Sequence, residues 1–545
     1  MSAPKKSVKA KASAQKNPET SSLAQGDTLI EELKYDSIPY DSYTYPQTHP
    51  DKMYTIAKLF QLKPPAIEKS RILEIGCAGG ANLVPVALTY PKAECVGIDI
   101  SSEQINQANT LKKGLNLKNI TFQQADIAKL GKEIGKFDYI MCHGVFSWVP
   151  ERIQNAILKF CKDHLNENGL AVISYNVLPG WGAVKTLRDM MMYHTKNFTD
   201  PKQQIQEARN LLSFLYENTP GTDHSYKSVI EREIKILKNT NDSYVFHEHL
   251  ETENHQFYLH EFVEKVQSND LAYVSDTELS AMYLGNFNEK IRNTLSAIKD
   301  IVRQEQYIDF IINRRFRHSI ITHAKNTANL RRNLKHEDIM DYYVAANFKP
   351  EPAPNAKTKF KKNDGNNEFT VSDEKSEIIL RTLAEKTIPI KIKDLVAEIQ
   401  KKSQYKNMSG LDSIFLKNGL SLMLQNFIIL SSTPPAFDTG IAKKPRAYSF
   451  ARYQASLPHT VRVTNMKMAN LNVDSFTRVL LPLLDGTNTI DMLVKKMIAH
   501  VKNGDLNVNQ NGKTVTDEKV LKTILQPHTE SILSRMATLA LLEKQ

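Results

Sequence analysis

Between residues 70 and 177 short apolar runs alternate with stretches whose apolar positions recur at helical spacing. The runs at 71–75, 94–99, 120–124, 137–142 and 170–175 are predicted strands, and helices fill the gaps. Strands separated by helices predict an α/β fold with a parallel sheet. From 184 to about 347 the pattern is almost wholly helical. The stretch 349–367 is rich in Pro, Lys and Asn and reads as a linker. Beyond it lie two segments of similar layout. The first, 376–431, has helices at 377–384, 392–401 and 410–425 running into the apolar 427–430. The second, 473–542, has helices near 476–484, 489–500 and 521–540. Helix–helix–helix–strand is the plan of a winged helix, repeated weakly here. That plan alone does not choose between DNA and protein as a partner.

Composition sharpens this outline. A chain of 545 residues is too long for one core. Its 41% hydrophobic content is enough to bury several. The expected order is a disordered basic tail at 1–28, an N-terminal lid at 29–69, and a Rossmann-like domain at 70–183. A helical regulatory or dimerisation region follows at 184–348, then a linker at 349–370 and winged-helix-like domains at 371–435 and 436–545. The basic start could also be a targeting segment, but it has no apolar core of the kind a secretory signal needs. No run of eighteen apolar residues is present, which argues against a membrane span. The four cysteines, Cys77, Cys95, Cys142 and Cys161, form no CxxC pair. They predict neither a zinc ribbon nor a disulfide framework, and a reducing cytoplasm suits them. The formal charge of +11 is spread along the chain, so it is weak evidence for nucleic acid.

The candidate chemistry lies at the strand ends. Arg71-Ile72-Leu73-Glu74-Ile75 leads into Gly76-Cys77-Ala78-Gly79-Gly80-Ala81-Asn82, and a helix starts near Asn82. Glycines let backbone approach a ligand, and the helix start offers free N–H donors. The second strand ends in Asp99, followed by Ile100, at the spacing where an acid can accept ribose hydroxyls. Ser101 and Gln104 can form a capping box for the next helix. The third strand leads to Asp126-Ile127, the fourth to His143-Gly144 and the fifth to Asn176. NAD and S-adenosylmethionine (AdoMet) both suit such a sheet. The full G-x-G-x-x-G of NAD sites is absent, Glu74 precedes the first glycine, and Asp126-Ile127 offers a carboxylate and an apolar wall for adenine. These features point to AdoMet. Taken singly, Asp99 and Asp126 could be no more than strand-end caps.

A wider set of motifs carries a resemblance. It comprises Tyr35-Asp36, Pro39-Tyr40, Thr48-His49-Pro50, the run His143 to Pro150, Ser174-Tyr175-Asn176, Pro179-Gly180-Trp181, Arg188 to Met191, the run Tyr244 to Glu251, and Asn313-Arg314. Together these resemble bacterial methyltransferases with a methyltransferase regulatory domain. Within that group the chain is similar to the rickettsial protein-lysine methyltransferases that act on outer membrane protein B. The resemblance implies AdoMet as donor, a lysine of a protein as acceptor, a helical dimerisation region and a C-terminal winged-helix portion. Ala78 departs from the glycine of many related sites, and so small a residue is expected to cost little.

Methyl transfer to lysine needs alignment and a dry, aromatic path, since a free lysine is seldom neutral at pH 7. Phe146 and Trp148 follow the fourth strand, Tyr175 ends the fifth with Asn176 next to it, and Trp181 lies just beyond; the chain's two Trp both fall here. These five are the candidate acceptor-side residues, although aromatics after a strand often only pack a helix onto the sheet. Tyr40 and His49 are expected to close over the cofactor, or else to form a docking strap. In a strand, His247 and His249 would share a face, and with His255, His260 and Glu261 could in principle hold zinc. No third ligand has a recognisable spacing, so no metal is expected, and a hydrogen-bonded polar patch is the plainer reading. Two other functions compete with a protein-lysine methyltransferase: an RNA or DNA methyltransferase, and a non-catalytic AdoMet sensor. Against nucleic acid, the fourth strand ends in Cys142-His143-Gly144 and not in the Asn/Asp-Pro-Pro-Tyr/Phe of amino-methylating nucleic-acid enzymes.

Overall fold

The computed structural model describes residues 41–222, 224–351, 358–510 and 513–544. Five parallel strands form where the apolar runs predict them: β1 (Arg71–Ile75), β2 (Glu94–Asp99), β3 (Ile120–Gln124), β4 (Phe137–Cys142) and β5 (Leu165–Val177). The two-residue β6 (Gln256–Phe257) pairs with the end of β5. Two further strands, β7 (Leu271–Asp276) and β8 (Phe316–His323), complete the main sheet. Its order is β3-β2-β1-β4-β5-β8-β7, with β8 antiparallel to both neighbours. The chain runs outward from β1 through β2 to β3, then returns to place β4 on the other side of β1. That reversal opens a crevice at the carboxyl ends of β1 and β4.

The region read as almost wholly helical therefore supplies three strands of the main sheet, β6, β7 and β8. In β8, Arg317 and Ser319 point to one face and Phe316 and His318 to the other. Polar residues on both faces hide the alternation by which a strand is normally recognised. The remaining helices, including Gly182–Thr195, Pro201–Asn218, His224–Leu237 and Asp242–His249, pack around their own apolar cluster of Leu187, Met191, Leu212, Ile230 and Phe246.

The expected linker also folds. β9 (Tyr343–Ala346) is followed by β10 (Phe348–Glu351), β11 (Thr358–Lys362) and β12 (Glu368–Val371), and the last three form an antiparallel sheet. Phe348, Phe360 and Phe369 stack on one face with ring centroids 5.1–5.5 Å apart, and Phe369 reaches Phe427 at 4.8 Å. Three well-spaced phenylalanines among Lys and Asn hold the sheet, and the polar bulk of the stretch masks them.

The first winged-helix-like segment has helices Glu374–Ala384, Ile392–Lys401 and Leu411–Leu424. They pack on a small sheet of β13 (Ile390–Lys391), β9 and β14 (Ile428–Ser431), in the order β13-β9-β14. The second has helices Ser449–Ser456, Ser475–Leu483, Ile490–Lys502 and Glu518–Thr538, with a hairpin of β15 (Arg462–Thr464) and β16 (Asn470–Asn472). No described helix is long and apolar enough to cross a membrane.

Candidate active site

The turn after β1 uses backbone conformations that few residues accept. Gly76 and Gly80 lie at φ of 70° and 79°, and Ala78 at 44°, in the left-handed region that favours glycine. A side chain at Gly76 would strike Val145 in the loop after β4, so turn and loop come close together at Gly76. The amides of Gly76 and Cys77 donate to the Ile98 carbonyl at 2.9 and 3.0 Å, folding the turn against β2. Cys77 is buried, and burial pushes its thiol well up.

Asp99 faces this turn. Its Oδ2 accepts the Ala78 N–H at 2.9 Å and its Oδ1 the Ser101 N–H at 3.0 Å. Beside it the Ile100 carbonyl accepts Gln124 Nε2 at 3.0 Å. Gln104 is buried in the first turn of the helix Ser102–Gly114, its amide held by Ser101 Oγ at 3.1 Å. A side chain on Gly79 would come within 3.6 Å of Gln104 Oε1. Asp126 caps Ala128 N–H at 3.0 Å and pairs with Lys129 at 3.3 Å, while Ile127 packs half-buried on the apolar core.

Asn82 ties the turn to β1 and to the segment before the sheet. Its Nδ2 donates to Glu74 Oε1 at 2.7 Å and to Thr48 Oγ1 at 3.0 Å, and its Oδ1 accepts the Tyr45 N–H at 2.7 Å. Glu74 Oε2 is buried and unpartnered. Burial raises the Glu74 carboxyl to about 8, against the lowering effect of the Asn82 hydrogen bond. A glycine cradle, a helix start, a facing acid and an orphaned carboxyl oxygen suit a ligand rich in hydroxyl and amino donors.

His143 stands at the end of β4, where the sequence places it, but its surroundings were not foreseen. Its ring stacks on His318 of β8, centroids 5.2 Å apart and planes 2° from parallel. Tyr45 lies at 3.8 Å and Phe316 at 5.9 Å from it. His143 Nδ1 and His318 Nε2 are buried without hydrogen-bond partners, and so is Nδ2 of Asn176 on the same face. Burial lowers the pKa of both histidines, and the neighbouring His318 lowers that of His143 further, so the pair is neutral at pH 7. Burial likewise raises the Tyr45 phenol to about 12.

Other expected acceptor-side residues lie elsewhere. Tyr175 and Asn176 are neighbours on one strand, so they point to opposite faces. Asn176 takes the His318 face. Tyr175 is wholly buried on the other, stacked on Phe262 at 4.0 Å and bonded to Ser319 at 2.9 Å. Phe146 packs in the same apolar core, 5.5 Å from both Phe257 and Phe262. Trp148 and Trp181 meet edge to face at 6.2 Å, with Trp181 Nε1 on Asn254 Oδ1 at 3.0 Å and the Arg315 guanidinium 5.7 Å from the Trp181 ring. The structure thus joins the two tryptophans to each other and leaves the histidine pair to Tyr45 and Phe316.

His49 is a helix cap. Its Nδ1 accepts the Asp51 N–H at 3.1 Å, and its ring lies 5.9 Å from Tyr90. The segment that closes on the glycine turn is Ser42–Tyr45, whereas Tyr40 lies outside the described residues. Phe246-His247-Glu248-His249 is helical, so His247 and His249 do not share a face as they would in a strand. His249 Nε2 lies 2.9 Å from Glu233 Oε1. No group of three or more His, Cys, Asp or Glu among the described residues is placed to hold a metal ion.

Family models match the chain in succession: "Methyltransferase domain" over residues 67–233, "Predicted methyltransferase regulatory domain" over 241–323, and "PKMT, C-terminal winged helix domain" over 443–541. The chain is an AdoMet-dependent methyltransferase, with AdoMet as the methyl donor. An uncharacterized protein of Rickettsia prowazekii (strain Madrid E) is 36% identical over 537 residues, 96% of each chain. PKMT2 from Rickettsia typhi matches with a TM-score of 0.83 at 32% identity, covering 92% of this chain and 100% of that one. A structure of that protein in complex with AdoHcy matches at 0.82 and 33% identity, with the same coverage. The chain belongs to the PKMT family.

Proposed function

We propose that this enzyme methylates the side-chain nitrogen of lysines on a protein, specifically an outer membrane protein of the outer membrane protein B kind. The observation that carries this reading is the wall of Tyr45, His143, Phe316 and His318 beside Asn176, at the carboxyl ends of β4 and β5. AdoMet, when bound, supplies an electrophilic methyl group on a sulfonium. The turn from Gly76 to Gly79 and Asp99 hold its polar parts, Ile100 and Ile127 offer apolar cover, and Glu74 and Asn82 fix the turn. A lysine nitrogen attacks only when neutral. An aromatic, poorly hydrated wall disfavours the ammonium and so favours the neutral amine. The two uncharged imidazoles and Asn176 can hydrogen-bond the incoming nitrogen without placing a competing cation there.

The membership in the PKMT family and the resemblance in sequence both favour protein lysine over nucleic acid. We further infer a cytoplasmic homodimer. All four cysteines are free thiols, and Tyr193 and Phe214 of the helical region are exposed apolar side chains that a second copy would cover.

The test uses AdoMet carrying a labelled methyl group, incubated in parallel with purified outer membrane protein B, RNA and DNA. Label on protein, located by mass spectrometry as methyl-lysine, is expected. Label on nucleic acid, with a steep fall of activity as salt rises, would favour the competing enzyme. No transfer to any acceptor despite tight AdoMet binding would favour a sensor.

A further inference from the structure

The segment that closes on the glycine turn is gripped from its other side by the C-terminal domain. Ser42 Oγ accepts the Ala81 N–H at 3.0 Å, and the Tyr45 N–H donates to Asn82 at 2.7 Å. Thr44, between them, faces the opposite way and is buried. Its hydroxyl lies 2.8 Å from the Met468 carbonyl and 3.1 Å from Asn470 Oδ1. Asn470 Nδ2 returns a hydrogen bond to the Thr44 carbonyl at 3.1 Å, across 426 residues of sequence. Met468 and Asn470 belong to the hairpin of β15 and β16. Arg462 of the same hairpin lies over the Tyr43 ring at 5.9 Å.

Two further contacts fix this arrangement. Asp51, just past the strap, accepts Ser431 Oγ at 3.0 Å and the Ser432 N–H at 3.2 Å from the first winged-helix-like segment. Tyr453 of the C-terminal domain packs so closely on Gly114 that no side chain fits there. Gly114 ends the helix that begins beside Asp99. The C-terminal domain is therefore seated on the cofactor half of the molecule at both the strap and this helix.

We propose that the winged helix domain acts as a clamp for the donor site. The reciprocal bonds between Thr44 and Asn470 hold residues 42–45 against the turn after β1, and Thr44 and Asn470 are positioning residues for AdoMet. This rests on the reading that the Gly76–Asp99 turn holds the donor. A strap free of the hairpin must be ordered when the donor binds, and that ordering cost appears as lost affinity. Binding is coupled in return: an occupied site holds the strap, and the strap holds the hairpin.

The test is calorimetric titration of AdoHcy into the full chain, which needs no acceptor. Thr44→Val and Asn470→Ala should each weaken binding about fivefold or more, the value of one or two hydrogen bonds. Thr44→Ser keeps the hydroxyl and should stay within about twofold. The double variant should bind at least as weakly as either single one, because each single change leaves one bond in place: Asn470 Nδ2 to the Thr44 carbonyl in Thr44→Val, and the Thr44 hydroxyl to the Met468 carbonyl in Asn470→Ala. Asn470 is on the exposed side of the hairpin, so its truncation leaves the core intact if Thr44→Val fails to fold. Thermal unfolding run alongside should show Asn470→Ala folded. Asp99→Ala separates the two readings. If it binds AdoHcy at full strength, the donor site lies elsewhere. If it loses binding while Asn470→Ala and Thr44→Val retain full affinity, the clamp alone is overturned.

Discussion

The two faces of the main sheet, at the same carboxyl end and on the same strands, are built on opposite rules. On one face Tyr175, Ser319 and Arg317 are wholly buried and bonded to their surroundings. Arg317 puts Nε and Nη2 on the two oxygens of Asp309 at 2.8 Å, and Nη1 on Tyr273 and Glu305 at 3.1 Å. On the other face Glu74, His143, Asn176 and His318 each leave a buried polar atom without a partner. On the first face the fold pairs the Arg317 charge with Asp309 and Glu305, although Glu305 Oε1 has no partner, because a buried ion stripped of its partner is strongly destabilising. On the second it leaves donors and acceptors open at the crevice where turn and loop meet. Unsatisfied buried groups are costly, so their concentration on one face marks where a ligand is expected to complete them.

Arg317 gives the largest contrast. Arg317→Met removes one partner of a buried ion network and strands Asp309 and Glu305. Unfolding stability should fall by about 3–5 kcal/mol, read by urea denaturation. AdoHcy affinity of the folded fraction should be unchanged, since none of the partners bonded to Arg317 belongs to the glycine turn. Loss of affinity without loss of stability would erase the division between the faces.

That division also explains what the sequence could convey. The glycine turn, Asp99 and the start of the helix at Asn82 lie within about thirty residues of one another, and strand, turn and helix each leave a local pattern. The face of Tyr175 was not local: one step along a strand reverses it, so ending the fifth strand at Tyr175, with Asn176 next, fixed the strand but not which neighbour looked into the crevice. Phe316 and His318 were less visible still. They belong to a strand whose two faces are both partly polar, one for the Arg317 network and one for the crevice. Tyr45 and Thr44 sit in a segment with no periodicity, and their partners His143 and Asn470 are brought to them only by the finished fold. The phenylalanines of β10, β11 and β12 were outvoted by the lysines and asparagines between them.

On the open face the second contrast is one of pH. The Glu74 carboxyl is raised to about 8 by burial, while in the unfolded chain it titrates at 4.5. Below 4.5 both states are protonated and burial of this group carries no ionisation cost. Above it the unfolded chain ionises freely and the folded one does not, so stability is lost as pH rises towards 8. The loss is about 1.4 kcal/mol for each pH unit. Glu74→Gln keeps an oxygen for Asn82 and never ionises. Its stability relative to the native chain should therefore grow with pH, reaching about 3 kcal/mol near pH 7. Urea unfolding at pH 5 and pH 7 measures the gap; an equal gap at both values would mean that Glu74 is ionised in the fold and satisfied by a group on this face.

The smallest effect is the sharpest, because it sets His318 against its neighbour Arg317. His318 makes its backbone bond to Asp276 at 3.2 Å, which substitution spares, while its Nε2 is buried without a partner. Replacing it with leucine of similar volume removes an unsatisfied polar group. The cost of that group disappears, so stability should hold or rise by up to about 1 kcal/mol. The same change takes away the ring stacked on His143 and, on the proposed reading, one of the groups that would hydrogen-bond the incoming nitrogen. Turnover should then fall about tenfold, the worth of one well-placed hydrogen bond in the reaction, while AdoHcy affinity stays near its native value. Stability and turnover moving in opposite directions is the mark of a residue kept for chemistry. If His318→Leu instead unfolds the protein as Arg317→Met does, the histidine pair is part of the scaffold, and the acceptor must approach from another side of the crevice.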